Sequence, residues 1–151
     1  MQIFDVVLKL LLQQSKQILP QLTGVTVVDW LPTELPKVQN RRLDLLGRAS
    51  DGTLLHIDCQ STNLAQMPLR MAEYLLDAYR QYGVFPLQLV LYVGREPLRM
   101  ANRMEGPFGS FQYTLIDVRT INSAPLLASA ETSDTVFSIL TQLSDQRRAV
   151  E

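Results

Sequence analysis

Apolar positions recur along this chain at two spacings, and the spacing predicts the elements. Over residues 2–18, Phe4, Leu8, Leu11 and Leu12 share a helical face, while Asp5 and Lys9 stand one turn apart and can pair. Apolar residues cover much of this helix, which predicts a deep position, and Pro20 marks its end. The β-branched run Val25, Thr26, Val27 and Val28 predicts a strand. A proline-punctuated loop follows, then a strand over 42–49, a tight turn centred on Asp51 and Gly52, and a returning strand over 54–60. A helix is predicted over 67–82, with Leu69, Ala72, Leu76 and Tyr79 inward and Gly83 as its stop. Residues 87–94 are nearly all apolar, as in a central strand covered on both faces. After a loop containing Gly and Pro, residues 111–118 alternate like a strand, and residues 132–146 read as a helix. Neither repeats nor a second domain are visible, so residues 1–151 are read as one domain. The order helix, three strands, helix, strand predicts an α/β layered fold, a mixed central sheet flanked by helices.

The 54–60 strand poses the functional question. His56, Asp58 and Gln60 alternate with Leu55, Ile57 and Cys59, so one side of it is polar. Folding the hairpin about Asp51 and Gly52 brings Asp44, Leu46 and Arg48 to the same side and places Asp44 close to opposite Asp58. Directly opposed carboxylates repel. They are tolerable at a solvated edge, where Arg41 and Arg42 can balance Asp44. They are useful where a divalent cation bridges them, activates a water and neutralises charge on a phosphate oxygen. In that case Gln60 would orient the water or donate to the phosphate. The pattern leaves both readings open.

Composition narrows the choice of chemistry. Apolar residues make up 46% of the chain and the net charge is −1, so no global field attracts a polyanion and any nucleic acid must be held by local Arg and Lys. With one cysteine, Cys59, and one histidine, a zinc site of thiolates and imidazoles is excluded; a carboxylate site favours a hard ion such as Mg²⁺. Cys59 falls on the apolar side of its strand and is expected to be a buried, inert thiol. The first helix is too short and too interrupted for a membrane span and lacks the features of a signal peptide, so the expected location is the cytoplasm, with no membrane partner. The last helical pattern runs on without a stop signal, as it would in a longer natural chain.

The ordered combination "RRLDLLGR…DGTLLHIDCQSTN…MPLRMAEYLLDAYRQYG…LVLYVG", over roughly residues 1–120, resembles the Rpn family of recombination-promoting nucleases, a transposase-linked branch of the PD-(D/E)XK nuclease superfamily. The resemblance implies a restriction-endonuclease-like αβββαβ core and a Mg²⁺-dependent DNA endonuclease, with Mn²⁺ as a substitute ion. It matches Asp44 and Asp58 to the two metal-holding acids and places Gln60 where the superfamily usually has lysine. Asp5 sits where an acid of the first helix completes the site in some members. Arg70 and Arg80, on the helix that flanks such a site, and Arg41 and Arg42, ahead of the motif strand, would contact DNA phosphates, and a homodimer would be in keeping with the superfamily. Two departures set a second expectation. Asp58 is one methylene shorter than the usual glutamate, and Gln60 replaces a cation with an amide. Both suit a catalytically weak or inactive nuclease fold that binds DNA or a protein partner.

Overall fold

The computed structural model describes residues 2–33, 44–138 and 141. Its elements are α1 (Gln2–Gln14), α2 (Ile18–Thr23), β1 (Val27–Leu31), β2 (Leu45–Ala49), β3 (Leu54–Gln60), α3 (Met67–Tyr82), β4 (Leu87–Tyr92), β5 (Arg103–Gly106), β6 (Gly109–Gln112), β7 (Thr114–Asp117) and α4 (Ala124–Leu127). A further helical stretch covers 132–138. Five strands form one sheet in the order β1-β2-β3-β4-β7, and β5 and β6 form a separate ribbon. The sheet is mixed: β1, β2 and β3 pair antiparallel, whereas β4 runs parallel to β3 and to β7. Helix α3 makes the crossover that a parallel β3–β4 pair requires.

Helices cover both faces of the sheet. On one, Leu8, Leu11 and Leu12 of α1 and Ile18 and Leu19 of α2 pack with Leu126 and Phe137 against Leu45, Leu55, Ile57, Leu89 and Leu91. On the other, Met67, Met71 and Tyr74 of α3 join Met100 and Tyr113 over Leu46, Val90 and Tyr92. Burial of each large aliphatic side chain contributes about 1.5–3 kcal/mol, so these two layers hold the fold together.

The β2–β3 hairpin forms as predicted. A three-residue loop closes it: Gly52 takes φ 89°, a conformation that needs glycine, and the Thr53 N–H donates to Asp51 Oδ1 at 2.9 Å. The register pairs Leu45 with Ile57 and Leu46 with His56, so Asp58 would next face residue 44. Helix α3 also has its predicted bounds, ended by Gly83 at φ 72° with its N–H on Tyr79 O.

Four expectations are corrected. The first helix stops at Gln14, because the Ser15 hydroxyl accepts the Ile18 N–H and donates to the buried Asp134 carboxylate, which starts a new helix. Pro20 therefore lies in the first turn of α2, where its missing N–H costs nothing. In α3 the inward stripe is Met67, Met71, Tyr74 and Ala78, while Leu69, Leu76 and Tyr79 face outward. Both stripes are apolar at helical spacing, so periodicity alone could not choose between them. Residues 111–118 are not one strand: the chain changes sheets at Tyr113, whose N–H donates to Asn102 O and whose hydroxyl donates to Ala101 O. The preceding loop contains β5, which pairs with β6. Finally, α1 is not buried all round. Ile3, Val6, Val7 and Leu10 are exposed along its outer face. No described helix is long and apolar enough to cross a membrane.

Candidate functional site

Strand β3 aims Ile57 and Cys59 at the α1 layer and His56, Asp58 and Gln60 at the α3 layer. The polar side is therefore not the wet side of the sheet. His56 and Asp58 are fully buried beneath α3.

Asp44 stands just before β2, at the end of the hairpin. Its Oδ2 accepts the Cys59 N–H at 2.9 Å, and its Oδ1 lies 3.4 Å from Lys9 Nζ. The same ammonium is 2.8 Å from Asp5 Oδ2. Lys9 thus stands between the two acids from α1 and β2. Partial burial works against its charge, but Asp5 and Asp44 outweigh this and raise its pKa.

Asp58 is neutralised differently. Its Oδ1 accepts from Gln60 Nε2 at 2.7 Å, and its Oδ2 lies 3.6 Å from an Arg70 terminal nitrogen. Arg70 is steered by Tyr74, whose hydroxyl accepts from Arg70 Nε at 3.2 Å and whose ring lies under the guanidinium. Burial, and next the charge of Asp44, push the Asp58 carboxyl up to about 7, against the opposing pull of Arg70 and Gln60.

His56 is locked into the same layer. Gln88 Nε2 donates to its Nδ1 at 3.1 Å and to Met71 O at 2.9 Å, and the Tyr74 ring stands edge-on at 5.5 Å. Burial, with Arg70 second, lowers its pKa to about 3, so the imidazole stays neutral. Burial first, and then the charges of Asp44, Asp58 and Asp5, push the Cys59 thiol well above the usual range, which favours the protonated form.

The metal-dependent reading is corrected by this arrangement. Among the described residues, no group of three or more His, Cys, Asp or Glu side chains is placed to hold a metal ion. Asp5 and Asp44 engage the Lys9 ammonium, and Asp58 is enclosed behind α3 with an amide and a guanidinium. The donor set does not fit Mg²⁺ or Mn²⁺, and the Mg²⁺-dependent DNA endonuclease expected from the resemblance does not hold. Gln60 donates to Asp58, so its amide is committed within the protein.

The predicted DNA contacts are dispersed. Arg70 is half-buried over Asp58, whereas Arg80 is exposed and lies 3.7 Å from Asp77 of its own helix. Arg41 and Arg42 lie outside the described residues. Lys16, Arg99 and Arg119 pair with Glu131, Glu96 and Asp117, and Arg103 pairs with Glu105.

Two residues that define this site, Lys9 and Gln88, lie outside the motif positions. Lys9 was expected to pair with Asp5 but also reaches Asp44, a contact no local pattern encodes. Gln88 had a visible signal: it is the one polar side chain in the apolar strand β4, and it is there to hold His56.

Two concavities adjoin these residues. One, of about 630 Å³, runs between α1 and the end of β1, with Val6, Leu10, Trp30 and Leu31 on its walls and Asp5, Lys9 and Asp44 among its polar lining. The other, of about 330 Å³, lies over the first turns of α3 and is lined by Leu64, Gln66, Leu69, Arg70, Glu73 and Tyr74. Compared with known proteins, the chain matches no family model, no curated protein and no solved structure.

Proposed function

We propose that this chain is a catalytically silent domain of nuclease-like fold that works by binding a protein partner through the groove between α1 and β1. The order α1, α2, β1, β2, β3, α3, β4 supports the αβββαβ core suggested by the resemblance, with the short α2 as an addition to it. The neutralised acidic pair supports silence. The observation that carries the binding reading is the outer face of α1. Ile3 is 82% exposed, Val6 54% and Leu10 48%, a large apolar outlay on one short helix, and Val6 and Leu10 continue into the 630 Å³ groove.

The groove also sets the partner's chemistry. Its walls are apolar, and its polar part holds two carboxylates, Asp5 and Asp44, against one ammonium, Lys9. An apolar segment carrying a single Arg or Lys complements it. A protein is favoured over DNA because the described basic side chains named above are paired with carboxylates rather than gathered into a stripe.

Selection from a phage-displayed peptide library on the full chain tests this reading. Apolar peptides with one basic residue are expected, and the double variant Val6→Asp, Leu10→Asp should bind them at least tenfold more weakly while unfolding at the same urea concentration. Peptides that bind the double variant as well as the parent would refute the groove. DNA cleavage that needs Mg²⁺ and disappears in Asp58→Ala would refute the silence.

A further inference from the structure

Two buried side-chain atoms, His56 Nε2 and Asp58 Oδ2, have no hydrogen-bond partner among the described residues. Leaving either one unpaired costs about 1–3 kcal/mol, enough to demand an explanation. Their chemistry is complementary. Gln88 donates to His56 Nδ1, so the ring proton sits on Nε2, which is a donor. Asp58 Oδ2 is an acceptor. The two residues point to the same side of β3 and are two positions apart, roughly 6.5–7 Å along the strand. Tyr74 brings a further polar group to this layer: its hydroxyl accepts from Arg70 and keeps its own proton to donate, and its ring stands edge-on to His56.

We infer that one buried water molecule is held between His56 and Asp58, accepting from His56 Nε2 and donating to Asp58 Oδ2, with the Tyr74 hydroxyl as third partner. Two hydrogen bonds through a water span about 5.5 Å, which suits side-chain tips on same-face neighbours of a strand. Three polar partners are the usual complement of an internal water. A cation is excluded at this point because it would meet the His56 N–H and the Arg70 guanidinium, both of which present positive charge. Neither of the two concavities described above is lined by His56 or Asp58, although the groove over α3 is lined by Arg70 and Tyr74.

A crystal structure of the full chain at about 1.5 Å should show a solvent peak within hydrogen-bonding distance, about 3.2 Å or less, of both atoms. Empty density there, or Arg70 drawn in to hydrogen-bond Asp58 Oδ2 directly, would overturn the inference. In solution, water ¹⁷O relaxation dispersion should count one fewer long-lived internal water in His56→Leu than in the parent. In Asp58→Asn, which keeps a side-chain acceptor, the count should stay unchanged. An unchanged count in a folded His56→Leu would also overturn it, and the crystal structure decides the question if that variant fails to fold.

Discussion

Replacing Asp58 with asparagine should stabilise the protein, and more so as the pH rises. In the folded chain the carboxyl titrates near 7; its ordinary value is 3.8. Between those values the folded chain keeps a proton that the unfolded chain has released, so stability falls as pH increases. At 1.36 kcal/mol per unit, a gap of about 3 units amounts to about 4 kcal/mol, reached in full by about pH 8. Against a typical domain stability of about 5–15 kcal/mol, this is a large effect. Asparagine has no charge to bury and escapes it. Arg70 loses its partner in the variant but is partly open to water, so that loss is small. His56 supplies an internal control. Its pKa is lowered from 6.5 to about 3, so the unfolded chain takes up a proton that the folded chain refuses, and stability falls as pH drops through that range. In the parent the two slopes cancel between about pH 4 and 6.5, giving a flat profile there. In Asp58→Asn only the His56 slope remains. Urea unfolding followed by Trp30 fluorescence, the single tryptophan, at half-unit pH steps reads both. Equal stability near pH 3.5 and a lead of up to about 4 kcal/mol near pH 8 are expected for the variant. A constant offset, or a variant weaker than the parent at pH 8, would show that Asp58 is a charged partner of Arg70 and refute the argument.

Other substitutions probe the remaining layers. Lys9→Met leaves Asp5 and Asp44 without their shared cation; because the pairs are partly exposed, the loss should be at most about 1 kcal/mol, and it should shrink in 1 M salt as screening takes over. Leu12→Ala empties a fully buried position between α1 and the sheet and should cost about 2–5 kcal/mol in urea unfolding. Gly83→Ala places a side chain at φ 72°, where the cost should be about 1 kcal/mol with no change in ligand behaviour. Val6→Asp, which alters the exposed face of α1, should change stability by no more than about 0.5 kcal/mol while weakening peptide binding.

Local chemistry made much of the fold legible. The Asp51–Gly52 turn, the alternation in β3, and Gly83 after a helical pattern each act within a few residues, and the hairpin and α3 follow from them. What was not legible depends on contacts distant in sequence. The break after Gln14 needs Asp134, which lies 119 residues from Ser15. The inward stripe of α3 depends on which side meets the sheet, and Leu69 and Leu76 are as apolar as Met67 and Met71. The chain's exit from β6 at Tyr113 rests on the carbonyls of Ala101 and Asn102, groups present in every residue and therefore silent in a sequence.

The same limit explains the acidic pair. A spacing of two residues says which side chains share a face of a sheet but not what lies on that face. Asp44 and Asp58 were correctly placed near one another, and their repulsion requires some form of neutralisation. A bound metal is one solution. The other is internal: Lys9 stands on Asp44, while burial and the charge of Asp44 shift the Asp58 carboxyl toward the protonated form, and Arg70 and the Gln60 amide offset what charge remains. The choice turns on whether water and ions can reach the pair. Helix α3 covers Asp58 and α1 brings an ammonium to Asp44, so neutralisation comes from within the chain. The alternation that looked like an open catalytic face is, in this protein, a buried polar layer between a strand and the helix that follows it.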